Sequence, residues 1–162
     1  MELRKQLLFT CFALFATASF SQHENEEASH DKERGIYEII ASAIYSYSPE
    51  HKEGVTGAEL HFTYWFNHKW GTGLSYTAKF EDAETINEIA LLGSWNPVNW
   101  MTVNIGPNIV LPTKHDGHSL GAYFETEFNI RPTKWFHFGP VLGAVYGHQF
   151  EINTGVHIGF EF

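Results

Sequence analysis

From Ile36 to Phe162 the chain alternates apolar and polar residues with a period of two, in runs separated by turn-forming clusters. Successive side chains of a strand point to opposite sides, so this pattern specifies strands with two unlike faces. Eight such runs are present: 36–47, 55–66, 70–80, 86–96, 100–111, 119–130, 135–146 and 150–162. Strands in soluble sheets are usually about five or six residues long. These are about twice that, matching the roughly nine to eleven tilted residues that cross a bilayer. Helical spacing is absent, so the sequence reads as all-β.

The connectors alternate in kind. Asn67-His68-Lys69, Asn96-Pro97-Val98-Asn99 and Arg131-Pro132-Thr133-Lys134 are tight turns, whereas 48–54, 81–85, 112–118 and 147–149 are mostly longer and rich in charge and histidine. Short turns at one end and looser loops at the other describe an up-and-down barrel with a periplasmic and an outer end. Both chain termini then fall at the periplasmic end. Trp100 leads into Gly106-Pro107 and Trp135 into Gly139-Pro140. Each proline lacks a ladder donor, so each is expected to mark a bulge or local bend.

The third run places Trp70, Thr72, Leu74, Tyr76, Ala78 and Phe80 on one face, with Gly71, Gly73, Ser75, Thr77 and Lys79 on the other. The second and sixth runs separate as cleanly, with Leu60, Phe62 and Phe124 on the apolar face. Runs one and four are less pure, having Ile36, Ile40, Ile44, Ala90 and Leu92 on the mainly polar side. A lipocalin-like soluble barrel turns its apolar face inward, and a membrane barrel turns it outward. Aromatics at the strand ends, including Tyr37, Tyr45, Phe66, Trp70, Trp95, Trp100, Trp135 and Phe162, match interfacial girdles. Gly57, Gly71, Gly73, Gly121, Gly143 and Gly155 sit on the polar face, where a narrow bore leaves little room. Closure also satisfies every backbone group without an edge, as hydrocarbon requires. The expected fold is a single antiparallel eight-stranded transmembrane β-barrel over 36–162, monomeric and in contact with outer-membrane lipid.

Residues 1–21 read as a secretory signal peptide, with Arg4 and Lys5 before an apolar run from Leu7 to Ala18 and small residues at Ser19 and Ser21. Residues 22–35 form an acidic, flexible lead-in without hydrophobic period. Cys11, the single cysteine, leaves with the leader, excluding disulfides and thiolate metal sites from the remainder. Removing Glu2, Arg4 and Lys5 takes away a net +1, so the charge of −9 becomes −10. So acidic a chain is not expected to bind nucleic acid, whose phosphates it repels.

Leader, alternating strands and a terminal aromatic together resemble the small outer-membrane β-barrels of Gram-negative bacteria, over nearly all of the exported chain. Phe162 with Phe160 resembles the C-terminal signal read by the barrel-insertion machinery, which the resemblance implies as a partner. That pattern usually has glycine five residues before the end, where this chain has His157, with Gly155 two residues earlier. The acidic lead-in and Gly-Pro strands also resemble a group of short barrels from Bacteroidetes-type bacteria. The resemblance implies an outer-membrane location and no particular activity.

With the faces so assigned, the lumen is expected to hold Glu38, Glu59, His61, Lys79, Glu88, Glu125, Glu127, His137, Glu151, His157 and Glu161. Crowded carboxylates need a cation or a protonated histidine among them. One reading is a lumen that attracts divalent cations, since imidazole and carboxylate suit zinc, nickel or copper. The other is a hydrogen-bonded plug, because the interior of an eight-stranded barrel is filled by its own side chains. On the outer loops, His51, His115, His118 and His148 lack an evident supporting shell, and His115-Asp116-Gly117-His118 is the densest group. Ser42, Ser46, Ser75, Ser94 and Ser119 qualify as nucleophiles by residue type alone, and no G-x-S-x-G signature occurs. No cofactor is expected. The functional expectation is a small porin-like barrel with a structural, adhesive or narrow transport role. The alternatives are a lipid-modifying barrel enzyme using His137 or His157 at its rim, and a soluble periplasmic lipocalin-like carrier.

Overall fold

The structure is a computed structural model that describes residues 35–81, 84–113, 117–147 and 149–162. The leader expected at 1–21, the lead-in through residue 34 with His23 and His30, the His115-Asp116 pair and His148 lie outside the described residues.

Eight strands form one closed barrel: β1 (Ile36–Ser48), β2 (Glu53–Trp65), β3 (Trp70–Phe80), β4 (Thr85–Val98), β5 (Met101–Val110), β6 (Ser119–Phe128), β7 (Phe136–Tyr146) and β8 (Phe150–Glu161). Every neighbouring pair is antiparallel, and β8 pairs back onto β1 with Glu38 opposite Glu161 and Tyr47 opposite Ile152. The seam continues past the named strands: Tyr37 N–H donates to the Phe162 carbonyl at 3.0 Å and Phe162 N–H to that of Tyr37 at 2.9 Å. Residues 66–69, 99–100 and 129–135 lie at the end that carries Ile36 and Phe162; 49–52, 81, 84, 111–113, 117–118, 147 and 149 lie at the far end.

Exposure alternates along the strands in the sense required by hydrocarbon outside. Leu60, Phe62, Leu74 and Phe124 are all about half exposed, whereas Ser75, Glu59, His61 and Glu125 beside them are buried. Among the described residues, the barrel therefore does not turn its apolar face inward around a greasy cavity of the lipocalin kind. Aromatic rings stack along the outer face at the terminal end: Tyr37 with Phe162, Trp70 with Trp95, Trp100 with Phe128, and Trp135 with Phe160, at centroid separations of 5.9–6.2 Å. Tyr45, Tyr47, Phe80 and Tyr146 are exposed toward the far end.

Of the apolar residues that blur runs one and four, Ile36 is exposed at the start of β1 and the other four have a place inside. Ala90, Leu92, Tyr123 and Val145 form a buried cluster, and Ile40, Ile44 and Val141 are also buried. The bore is thus filled by apolar packing as well as polar side chains.

Both Gly-Pro pairs adopt the same local geometry. A Cβ at Gly106 would collide with the Leu91 carbonyl, and one at Gly139 with the Phe128 carbonyl. The β4–β5 ladder skips from Ala90/Asn108 to Gly93/Ile105, the gap being where Pro107 cannot donate. Similarly, β6 and β7 pair only through Glu127/Val141 before an isolated bridge at Ile130/Phe138. Neither proline shifts the register, so the expected bulges are ladder gaps instead. The register shift falls between Trp95 and Val98, and β4 continues through Pro97, which the sequence pattern assigned to a tight turn.

Candidate functional site

Alternation on β2 sends Glu59, His61, Thr63 and Trp65 inward, and on β6 it sends Tyr123, Glu125 and Glu127 inward from the opposite wall. In a ring of eight, β2 and β6 are diametrically opposed, so contacts between them cross the whole bore.

Three bonded groups result. At the centre, Glu59 Oε1 accepts from Ser75 Oγ (2.8 Å), Thr77 Oγ1 (2.7 Å) and the Tyr123 hydroxyl (2.9 Å). His61 Nδ1 donates to Glu127 Oε1 at 3.2 Å, and Asn104 Nδ2 donates to the same oxygen at 2.9 Å. Asn104 is itself fixed by Ser94 Oγ at 2.7 Å. The other ring nitrogen of His61, Nε2, lies 3.2 Å from the Tyr123 hydroxyl, 3.4 Å from Glu59 Oε1 and 3.7 Å from Glu125 Oε1.

Toward the terminal end, Glu38 accepts from Trp65 Nε1 at 2.9 Å and from His137 Nε2 at 2.8 Å. An ionised carboxylate only accepts, which puts the proton of His137 on Nε2 and leaves its Nδ1 to accept from His157 Nε2 at 3.2 Å. His157 Nε2 also lies 3.0 Å from Asn129 Oδ1, and Asn129 Nδ2 donates to Thr102 Oγ1 at 2.9 Å. Glu161 is paired with Arg131. Toward the far end, Lys79 is clamped between Glu88 and Glu151, with Asn108 donating to Glu88 at 3.1 Å and Gln149 to Glu151 at 2.7 Å.

All of the candidate lumen residues are buried except Glu161, which is half-buried. The structure divides them: Glu59, His61, Glu125 and Glu127 meet at the centre; Glu38, His137 and His157 form a separate chain with Glu161 beside it. Phe160 and Phe162 lie on the outer surface. His51 and His118 are exposed on the far-end loops. Ser42 pairs in register with His157 on one side and Glu59 on the other, yet among the described residues its hydroxyl and His157 Nδ1 have no hydrogen-bond partner. No hydroxyl–imidazole relay is formed there.

Several participants escaped the sequence reading. Tyr123 and Asn104 carry the inward parity of their strands but lack a charge to draw notice. Arg131 precedes Pro132 and was assigned to a turn, from which its side chain reaches back to Glu161. Trp65 shares the polar face of its run with Glu59 and His61 and is buried in the lumen, where its role as a donor to Glu38 is not evident from residue type.

The lumen charge is unbalanced. Among the described residues, seven inward carboxylates (Glu38, Glu59, Glu88, Glu125, Glu127, Glu151 and Glu161) face Lys79 and Arg131. Both cations are engaged away from the centre.

No family model matches this chain, and no curated protein matches its sequence. Similar solved structures include OprG, an outer membrane protein from Pseudomonas aeruginosa, with 14% identity and a TM-score of 0.53 over 80% of this chain and 97% of that one. Ail, the attachment invasion locus protein of Yersinia pestis, is 11% identical with a TM-score of 0.51 over 79% of this chain and 97% of that one. At such identities the likeness concerns architecture. By fold, this chain is a small eight-stranded antiparallel barrel of the outer-membrane type.

Proposed function

We propose that this chain is a small outer-membrane protein whose barrel is plugged by its own side chains and serves a structural, non-conducting role. The observation that carries this reading is the set of bonds across the bore. His61 with Glu127 and Tyr123 with Glu59 join opposite walls, and Lys79 with Glu151 joins walls three strands apart. Such bonds replace the water column that conduction needs. The apolar outer belt and stacked rings support residence in the outer membrane. A periplasmic position for both termini belongs to this reading, as in up-and-down barrels of this kind.

In this reading residues 1–21 direct export and are removed, and Phe160 and Phe162 engage the insertion machinery. Ail is named for attachment and invasion. In this chain three of the four far-end connections, 49–52, 81–84 and 147–149, have four residues or fewer, with 111–118 the longer exception, which favours a structural over an adhesive role. His137 and His157 are committed to each other, Glu38 and Asn129, which disfavours lipid chemistry at a rim histidine.

Expression in a Gram-negative host with membrane fractionation, then reconstitution in planar bilayers, tests the proposal. The protein should co-fractionate with outer membrane and give no conductance steps. Recovery in the soluble periplasmic fraction would overturn the location, and stable steps from the wild type would overturn the plug.

A further inference from the structure

We propose that Glu59, His61 and Glu125 form a binding site for one divalent transition-metal ion of the zinc class at the centre of the lumen. This goes beyond the structural role and does not depend on it.

The spacing is the first argument. One ligand atom from each of the three residues lies within 4.8 Å of the others. His61 Nε2 is 3.4 Å from Glu59 Oε1 and 3.7 Å from Glu125 Oε1. Charge-assisted hydrogen bonds are shorter, about 2.7–2.9 Å. A tetrahedron with metal–ligand bonds of about 2.0–2.1 Å has edges of about 3.4 Å. These atoms are thus spaced as ligands around a common centre would be.

Unpartnered oxygens are the second. Glu125 Oε1 and Glu59 Oε2 are buried without a hydrogen-bond donor, and their residues are 1% and 2% exposed. A buried ionised carboxylate without a partner is strongly disfavoured, and a coordinated cation removes that penalty. Among the described residues the inward lysine and arginine are engaged elsewhere, Lys79 by Glu88 and Glu151 and Arg131 by Glu161, which leaves a proton on His61 as the one alternative to a metal ion at this place.

Orientation is the third. Glu127 holds His61 Nδ1–H, and Asn104 and Ser94 hold Glu127. A carboxylate on the far nitrogen of an imidazole is the usual support of a metal-bound histidine, fixing the tautomer that presents Nε2 as a donor. Imidazole with carboxylates suits zinc-like ions better than calcium or magnesium, which prefer all-oxygen shells.

The group Glu38, His137 and Glu161 has similar compactness but a different state. Glu38 accepts from Trp65 and His137, and Glu161 is neutralised by Arg131. It needs no ion.

The test uses the whole protein purified in detergent, stripped with a chelator in urea, refolded with Zn²⁺ as the probe and washed. Elemental analysis should find one zinc per folded barrel. Zinc-edge absorption should show a shell of nitrogen and oxygen at about 2.0–2.1 Å with a single imidazole. Glu125→Gln and Glu59→Gln should each lower affinity at least tenfold, and Glu127→Gln by about 10–100-fold. His157→Gln and His51→Ala should retain wild-type binding. Heat-dependent gel migration confirms folding of each variant, and the absorption measurement on wild type stands if a variant does not fold. No retained zinc in the wild type, two imidazoles in its shell, or equal binding by folded Glu125→Gln would each overturn the site.

Discussion

Glu38 on β1 and His137 on β7 stand ninety-nine residues apart in the chain and meet at 2.8 Å inside the barrel. The same carboxylate accepts a hydrogen bond from the indole N–H of Trp65, and the same imidazole accepts one from His157. Removing the ring would leave two buried polar groups each short of a partner. His137→Ala should therefore lower unfolding stability by about 3–5 kcal/mol. Urea titration in detergent, followed by tryptophan emission, measures it. A double-mutant cycle with Glu38→Ala should show coupling of about 0.5–3 kcal/mol, and additive losses would contradict the bond.

Lys79 holds Glu88 and Glu151, which have no other cationic partner among the described residues. Lys79→Met leaves Glu88 and Glu151 uncompensated, and a loss of about 3–5 kcal/mol is expected. Adding Glu88→Gln and Glu151→Gln to that variant should restore part of it. Failure of the added changes to help, read in the same titration, would argue against the clamp.

Leu74 and Ser75 are neighbours on β3 that face lipid and lumen respectively. Leu74→Arg near mid-strand should cost about 2–4 kcal/mol. Ser75→Ala removes one bond to Glu59 and should cost about 1 kcal/mol. Equal losses, or a larger one at Ser75, would contradict the face assignment.

Glycines on the barrel wall offer a sharper contrast. At Gly106 an added Cβ meets the Leu91 carbonyl, whereas at Gly93 the nearest atom is 3.6 Å away. Gly106→Ala should cost about 1–3 kcal/mol and Gly93→Ala almost nothing. The yield of folded barrel in a refolding assay ranks them directly.

Lys52, in the β1–β2 connection, has φ of 57°, a region disfavoured by side chains with a Cβ. Lys52→Gly should leave the fold unchanged and raise stability by about 0.5–1 kcal/mol in thermal melts. A decrease would mean that the lysine side chain contributes something its backbone geometry does not reveal.

Strand number, strand length and facing were legible in the sequence because period two reports parity directly, and parity is all a pleated strand needs to sort its sides. Glu59, His61, Glu125 and Glu127 were therefore recognisable as inward. Their meeting was not legible: β2 and β6 touch only through the bore, and the height at which they face each other depends on strand tilt and stagger. The apolar inward residues Ile40, Ile44 and Leu92 weakened the pattern for the same reason, since a bore this narrow must be packed. Pro97 misled in another way. It marks a turn in most contexts, yet here it lies in the register shift that lets β4 continue to Val98.

The paired hydrogen bonds between Tyr37 and Phe162 act as the clasp of a bracelet. A partial arc of seven strands would present two raw margins to the acyl chains, so assembly has no stable halfway stage in hydrocarbon. The strand made last by the ribosome is the one that must find the strand made first. Closure accordingly waits for the whole ring, and shaving a few residues from either side of the clasp should abolish the barrel rather than shorten it.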